Sequence, residues 1–196
     1  MIVVVGGHSR NIGKTTVAAS IIEATREAGW TAVKVTQHGH GVCEHACSCA
    51  EHVDPVAVDE EQEPNGTDSG RFLAAGAARA FWVRTAQGEL ARAMPWVREL
   101  LAGGGNVLFE SNSLMQFVKP DLYLVVVDFS VADMKDSTRL FIDRADAFVK
   151  TGGEAAQWER VSRRWFETKP VVAPGSEELF RMVREGLAKG ITQSVR

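Results

Sequence analysis

The chain has 196 residues, with 22 Lys and Arg against 25 Asp and Glu, a formal net charge of −3. That balance gives no electrostatic footprint for a nucleic-acid partner or an anionic membrane surface, and 45% hydrophobic with 24% charged content is ordinary for a globular domain large enough to bury a core. No apolar run approaches a membrane span, and Ile2–Val5 is too short and lacks the basic start of a signal peptide, so the chain reads as cytoplasmic with no membrane partner.

Ile2–Val5 is a continuous apolar run, the pattern of a central strand covered on both faces. Lys14–Ala28 follows as an amphipathic helix with Val17, Ile21 and Ile22 on one face, and Gly29 stops it. Thr31–Thr36 alternates in polarity as a second strand, which makes the first unit a parallel, right-handed strand–helix–strand crossover. Gln37–Thr67 has no periodicity and is broken by Pro55 and Pro64; an insertion without regular structure is expected at about 37–66. Its acids Asp59, Glu60, Glu61 and Glu63 read as a solvated run.

Thr67 or Asp68 caps a predicted helix over Ser69–Ala75. Ala80–Arg84 reads as a strand, and Gly88–Ala102 as a helix that Pro95 kinks or breaks. Asn106–Glu110 and Asp121–Asp128 are strands, each finishing on an acid. Then come Asp136–Ile142 (helix), Ala147–Val149 (strand), Ala155–Trp165 (helix), Pro170–Ala173 (strand) and Ser176–Leu187 (helix). Strict alternation predicts an α/β fold: a doubly wound, mostly parallel sheet of about seven strands flanked by helices, in a single domain.

The chemistry concentrates in Gly7-His8-Ser9-Arg10-Asn11-Ile12-Gly13-Lys14-Thr15-Thr16, between the first strand and the first helix. Gly13 lets the backbone approach a phosphate, and successive N–H groups of such a loop form an anion nest at a helix N-terminus. Lys14 would reach the outer phosphates of a nucleoside triphosphate, and the Thr15 hydroxyl would face Mg²⁺. A chance Gly-Lys-Thr is common; its placement between a β-rich strand and an amphipathic helix is what makes the motif specific. His8 stands where the usual spacing has a glycine. It either fills that place and bonds locally or touches phosphate, and Arg10 either stabilises charge in the loop or faces solvent.

Ligands of such sheets sit beyond the carboxyl ends of the strands. Glu110 is there the candidate carboxylate for Mg²⁺, with Asp128 as its rival and a simple turn-capping role as the alternative. Lys150, Pro174 and Ser176 follow the last two strands, which in this class lie beside the purine base; plain solvent-facing loops are the other reading.

All three cysteines and four of the five histidines fall between His38 and His52, in the order His38, His40, Cys43, His45, Cys47, Cys49, His52. The crowding argues against a disulfide framework. Thiolate with imidazole suits Zn²⁺ in a Cys3His site, while an Fe–S cluster would need a fourth ligand that is not cysteine. Free thiols and a redox disulfide are the competing readings.

The five-residue gap between Gly7 and Gly13 resembles the phosphate loop of dethiobiotin synthetases and cobyrinic acid amide synthases. Val33–His40 (Val-Lys-Val-Thr-Gln-His-Gly-His), Asp68–Ala77 and the acidic strand Asn106–Asn112 resemble segments of molybdopterin-guanine dinucleotide biosynthesis protein B. Ser111, the Cys/His stretch and the longer C-terminal half depart from that family's pattern. The resemblance implies a P-loop NTPase that binds and hydrolyses ATP or GTP with Mg²⁺ through Lys14, Thr15 and Glu110, in molybdenum-cofactor biosynthesis, with a cofactor precursor or partner enzyme. Rival expectations are an ATP-dependent ligase or kinase of the dethiobiotin synthetase kind and a nucleotide-gated, metal-organised adaptor. Neither ATP against GTP nor the oligomeric state, a homodimer included, follows from the residues.

Overall fold

In the computed structural model, which describes residues 1–38, 56–155 and 158–194, Val3, Val4 and Val5 are fully buried. They are covered on both sides because β1 (Ile2–Gly7) lies inside an eight-stranded sheet. Val3 and Val5 project into one hydrophobic layer and Val4 into the other, as the two-residue period of a strand requires.

The elements alternate as expected. α1 (Lys14–Ala24), β2 (Thr31–His38), β3 (Val56–Glu60), α2 (Gly70–Ala74), β4 (Arg79–Ala86), α3 (Met94–Ala102), β5 (Val107–Glu110) and β6 (Leu122–Asp128) lead into α4 (Asp136–Arg139), β7 (Ala147–Gly152), α5 (Arg164–Thr168), β8 (Val171–Val172) and α6 (Glu177–Ser194). The strand order is β3-β4-β2-β5-β1-β6-β7-β8. Every pairing is parallel except the β3–β4 edge. One face packs Val17 and Ile21 of α1, Phe72 of α2 and Leu179 and Val183 of α6 against the sheet. The other packs Met94 and Val97 of α3 together with Met115, Ile142 and Trp158. The protein is thus a single-domain, doubly wound α/β fold, with no helix among the described residues long and apolar enough to cross a membrane.

Three local differences from the sequence expectation have physical causes. Part of the stretch read as structureless, Val56–Glu60, is the eighth strand: it pairs antiparallel with β4, and its acids meet arginines there, Glu60 with Arg79 at 2.7 Å and Asp59 with Arg84. Such exposed pairs add little stability, about 0–1 kcal/mol each, but they place charge on a sheet edge that would otherwise invite pairing. Residues 39–55 lie outside the described residues.

The helix predicted over 14–28 stops at Ala24, because Thr25 turns its Oγ1 back to the Ile21 carbonyl (2.6 Å) and accepts the buried Trp30 indole N–H (2.9 Å). Of the helix predicted over 155–165, only Arg164 and Trp165 are helical among the described residues. Arg160 adopts a left-handed backbone (φ 60°), Trp158 joins an aromatic cluster with Phe129 and Phe166, and the helix starts only at Arg164. Pro95 breaks the 88–102 region as expected: a 3₁₀ turn covers Leu90–Ala93, and α3 takes the proline in its first turn, where a missing N–H costs nothing.

Candidate functional site

β1 passes directly into the loop that precedes α1, and neighbours on both sides hold its end. Beyond the last residue of β5, the Asn112 side chain continues the ladder. Its Oδ1 accepts the Gly7 N–H at 2.7 Å, and its Nδ2 donates to the Gly7 carbonyl at 2.8 Å and to Thr138 Oγ1 at 2.8 Å. On the β6 side the His8 N–H donates to the Val126 carbonyl, and the Lys135 N–H donates to the His8 carbonyl (2.8 Å). The Ser9 hydroxyl donates to Asp133 Oδ2 at 2.8 Å. The loop is therefore stitched to both strands that flank β1 before any ligand is considered.

Within it, Gly13 takes φ 91°, a conformation that suits glycine, and Asn11 takes φ 55°. Gly7 serves a different end: a Cβ there would sit 2.7 Å from the methylenes of Lys14, so the glycine makes room for the lysine to fold over the loop. Lys14 Nζ donates to the Ser9 carbonyl at 2.8 Å. Burial holds the Lys14 ammonium well below its ordinary range, at about 8; repulsion from Lys135 and Lys34 pushes the same way, and Glu110 and Asp68 oppose them.

A cleft of about 1000 Å³ opens at the carboxyl ends of β1, β2, β5 and β6. Residues 10–16 of the loop, Lys34, Asp68, Arg71, Glu110 and Lys135 line it. Thr15 Oγ1 donates to Glu110 Oε2 at 2.8 Å, joining the first turn of α1 to the end of β5, with Glu110 only 5% exposed. Lys34 bridges Glu110 (3.5 Å) and Asp68, and Arg71 donates to Thr16 Oγ1 at 3.1 Å. A hydroxyl and a carboxylate side by side at the rim of an open cleft are hard oxygen ligands of the kind Mg²⁺ takes, with room for phosphate and water oxygens. The donor set fits that ion.

On the opposite flank of the loop lies a second cavity of about 300 Å³, lined by Asn11, Ile12, Gly13, Thr16, Val17, Asp128, Thr151 and Pro174. Of the three residues expected beside a base, Pro174 alone lines it. Lys150 lies over the Phe129 ring at 5.7 Å, and Ser176 Oγ is taken by the Leu179 N–H at the start of α6. Asp128, the expected rival of Glu110, faces this second cavity, apart from Thr15 and Glu110. Thr151, next to Lys150 in sequence, takes a place that nothing in the local pattern distinguished.

His8 is a correction to the phosphate-contact alternative. It is fully buried and absent from both cavities; its ring packs on Trp158 at 4.5 Å. The Asp128 N–H donates to Nδ1 (3.4 Å), which leaves the proton on Nε2 to donate to the Val131 carbonyl (3.3 Å). Burial lowers its pKa and favours this neutral form. His38 ends β2 with its Nε2 buried and without a hydrogen-bond partner among the described residues. Cys43, Cys47, Cys49, His40, His45 and His52 lie outside the described residues, among which no group of three or more His, Cys, Asp or Glu gathers as a metal centre.

Set beside known proteins, the chain matches no family model, no curated protein and no solved structure. The functional reading therefore stands on the site itself.

Proposed function

We propose that the chain binds a nucleoside triphosphate with Mg²⁺ across the loop 7–16 and hydrolyses it. The observation that carries this reading is the Thr15–Glu110 hydrogen bond beside the half-buried Lys14, at the mouth of a cleft that follows the strand ends. In the bound state Thr15 and Glu110 would face Mg²⁺, which neutralises phosphate charge. Lys14 would exchange the Ser9 carbonyl for a phosphate oxygen, and residues 12–16 would present backbone N–H groups to the phosphates. The two cavities support one direction for the ligand. The smaller one suits a base and ribose, and the larger one takes the terminal phosphate.

The likeness to molybdopterin-guanine dinucleotide biosynthesis protein B extends the proposal to a cytoplasmic step of molybdenum-cofactor biosynthesis. A Lys14→Ala variant is expected to lose triphosphate binding, more than about 100-fold by calorimetry, since it removes a buried charge-assisted contact. Unchanged affinity would refute the site. Titrating ATP against GTP, with and without Mg²⁺, assigns the nucleotide.

A second reading, an ATP-dependent ligase or kinase, is favoured by the reach of the large cleft past the loop to Thr36, Gln37 and Gln87, which leaves room for an acceptor. Single-turnover assays distinguish it by a phosphorylated acceptor. A nucleotide-gated adaptor would instead bind tightly with no turnover. Elemental analysis after chelator-free, reducing purification tests Zn²⁺ or Fe–S at the Cys/His stretch.

A further inference from the structure

Three lysines reach the large cleft from three different strand ends: Lys14 from the loop after β1, Lys34 from β2, and Lys135 from the connection after β6. Two of them have partners there. Lys34 is paired with Asp68 and Glu110, and Lys14 rests on the Ser9 carbonyl. Lys135 forms no salt bridge among the described residues, although its side chain is desolvated and Asp133 and Glu110 are in electrostatic range.

Its backbone is held firmly. The Lys135 N–H bonds the His8 carbonyl at 2.8 Å, and its own carbonyl accepts the Thr138 and Arg139 N–H groups at the start of α4. Two residues earlier, Asp133 takes the Ser9 hydroxyl. The segment that carries Lys135 is thus fastened to the loop at His8 and at Ser9, the residue whose carbonyl Lys14 touches. Arg10, Lys14 and Lys34 all raise the local positive potential around it. Bringing two half-buried ammonium groups to one cleft costs free energy that a multiply charged anion between them offsets.

We infer that Lys135 is a specificity-determining residue that donates to the terminal phosphate, so that the site distinguishes a nucleoside triphosphate from the diphosphate. This rests on the triphosphate reading above. Lys14 and the loop amides serve the phosphates that both nucleotides share. Lys135, across the cleft from α1, serves the one that only the triphosphate has.

The test compares a non-hydrolysable triphosphate analogue with the diphosphate of the same base, both with Mg²⁺, by calorimetry on the full chain and on Lys135→Ala and Lys135→Arg. Lys135→Ala should weaken the triphosphate analogue about ten- to hundredfold, the range of one charge-assisted hydrogen bond, and leave the diphosphate unchanged. Lys135→Arg should restore much of the difference, and thermal melts should coincide across the three proteins. An unaltered triphosphate-to-diphosphate ratio in Lys135→Ala overturns the assignment, whether both ligands weaken or neither does. If the wild-type chain binds both and Lys14→Ala abolishes both, only the Lys135 assignment has failed. If the wild-type chain binds neither, the triphosphate reading has failed with it.

Discussion

Two strands beside β1 finish on an acid, Glu110 on β5 and Asp128 on β6, and in sequence the two look alike. Their surroundings differ. Glu110 is almost wholly buried, accepts from Thr15, pairs with Lys34, and faces the large charged cleft. Asp128 is more open and accepts both the N–H (2.9 Å) and the hydroxyl (2.5 Å) of Ser130, which hold its carboxyl below the usual range, and it faces the small cavity. A strand-end acid is set up to hold a cation only where the neighbouring elements bring a hydroxyl and balancing charges to it. Here α1 and β2 do so for Glu110, while Asp128 is taken up in its own turn. The loop 7–16 separates two flanks of different chemistry.

Asn112 holds the Glu110 flank in register, and its replacement should have the largest structural effect. Leucine is close in size but strands the Gly7 N–H in a buried position and takes one of two donors from the Gly7 carbonyl, which keeps the Thr138 hydroxyl at 2.9 Å. One stranded buried donor puts Asn112→Leu about 1–3 kcal/mol below wild type, a fall in Tm of roughly 2–12 °C for a chain of this size. Calorimetric melts check it. A change under about 0.5 kcal/mol would mean that the ladder beyond β5 is held by β6 alone.

Next in size is the contrast between the two acids. Glu110→Gln keeps the shape and the bond to Thr15 but removes the charge, and should weaken the Mg²⁺ dependence of nucleotide binding by about 10–100-fold, the usual cost of altering a group that supports a metal. Asp128→Asn should leave that dependence unchanged. Equal effects of the two substitutions on Mg²⁺ titrations would erase the distinction between the flanks.

The two flanks also differ in what the sequence revealed. The alternation of apolar runs and amphipathic stretches was enough for the doubly wound sheet, because each buried strand and helix face carries its own period. That Lys14, Thr15 and Glu110 meet at one cleft was legible because a loop glycine, a helix start and a strand end are local features. Val56–Glu60 was not, since an edge strand buries little and its acids are balanced by Arg79 and Arg84 from a distant element. Lys135 and Asn112 were missed for a related reason. Both are placed by contacts made across the sheet to residues 7–9, and nothing in the pattern around them marks it. For His8 the sequence left local bonding and phosphate contact both open; Trp158, 150 positions away, supplies the surface that buries it, and no local pattern could show that.

The smallest effect is one of pH, and it arises on the Glu110 flank alone. Free Lys14 loses its proton near pH 8, well below its ordinary value of 10.5. A bound polyphosphate favours the ammonium and raises that pKa, so above about pH 8 the complex holds a proton that the free protein has lost. Affinity therefore falls as pH rises from about 8, by at most about tenfold per pH unit for one proton, and is flat with respect to this group below that point. Asp128 stays ionised throughout this range, so Asp128→Asn should leave the profile where it is, whereas Lys135→Ala, by removing the main repelling charge, should move the break to higher pH. Binding measured from pH 7 to 9.5 decides it. A flat profile in the wild-type chain would show that the Lys14 ammonium is not what meets the ligand, and the two flanks would then need other roles.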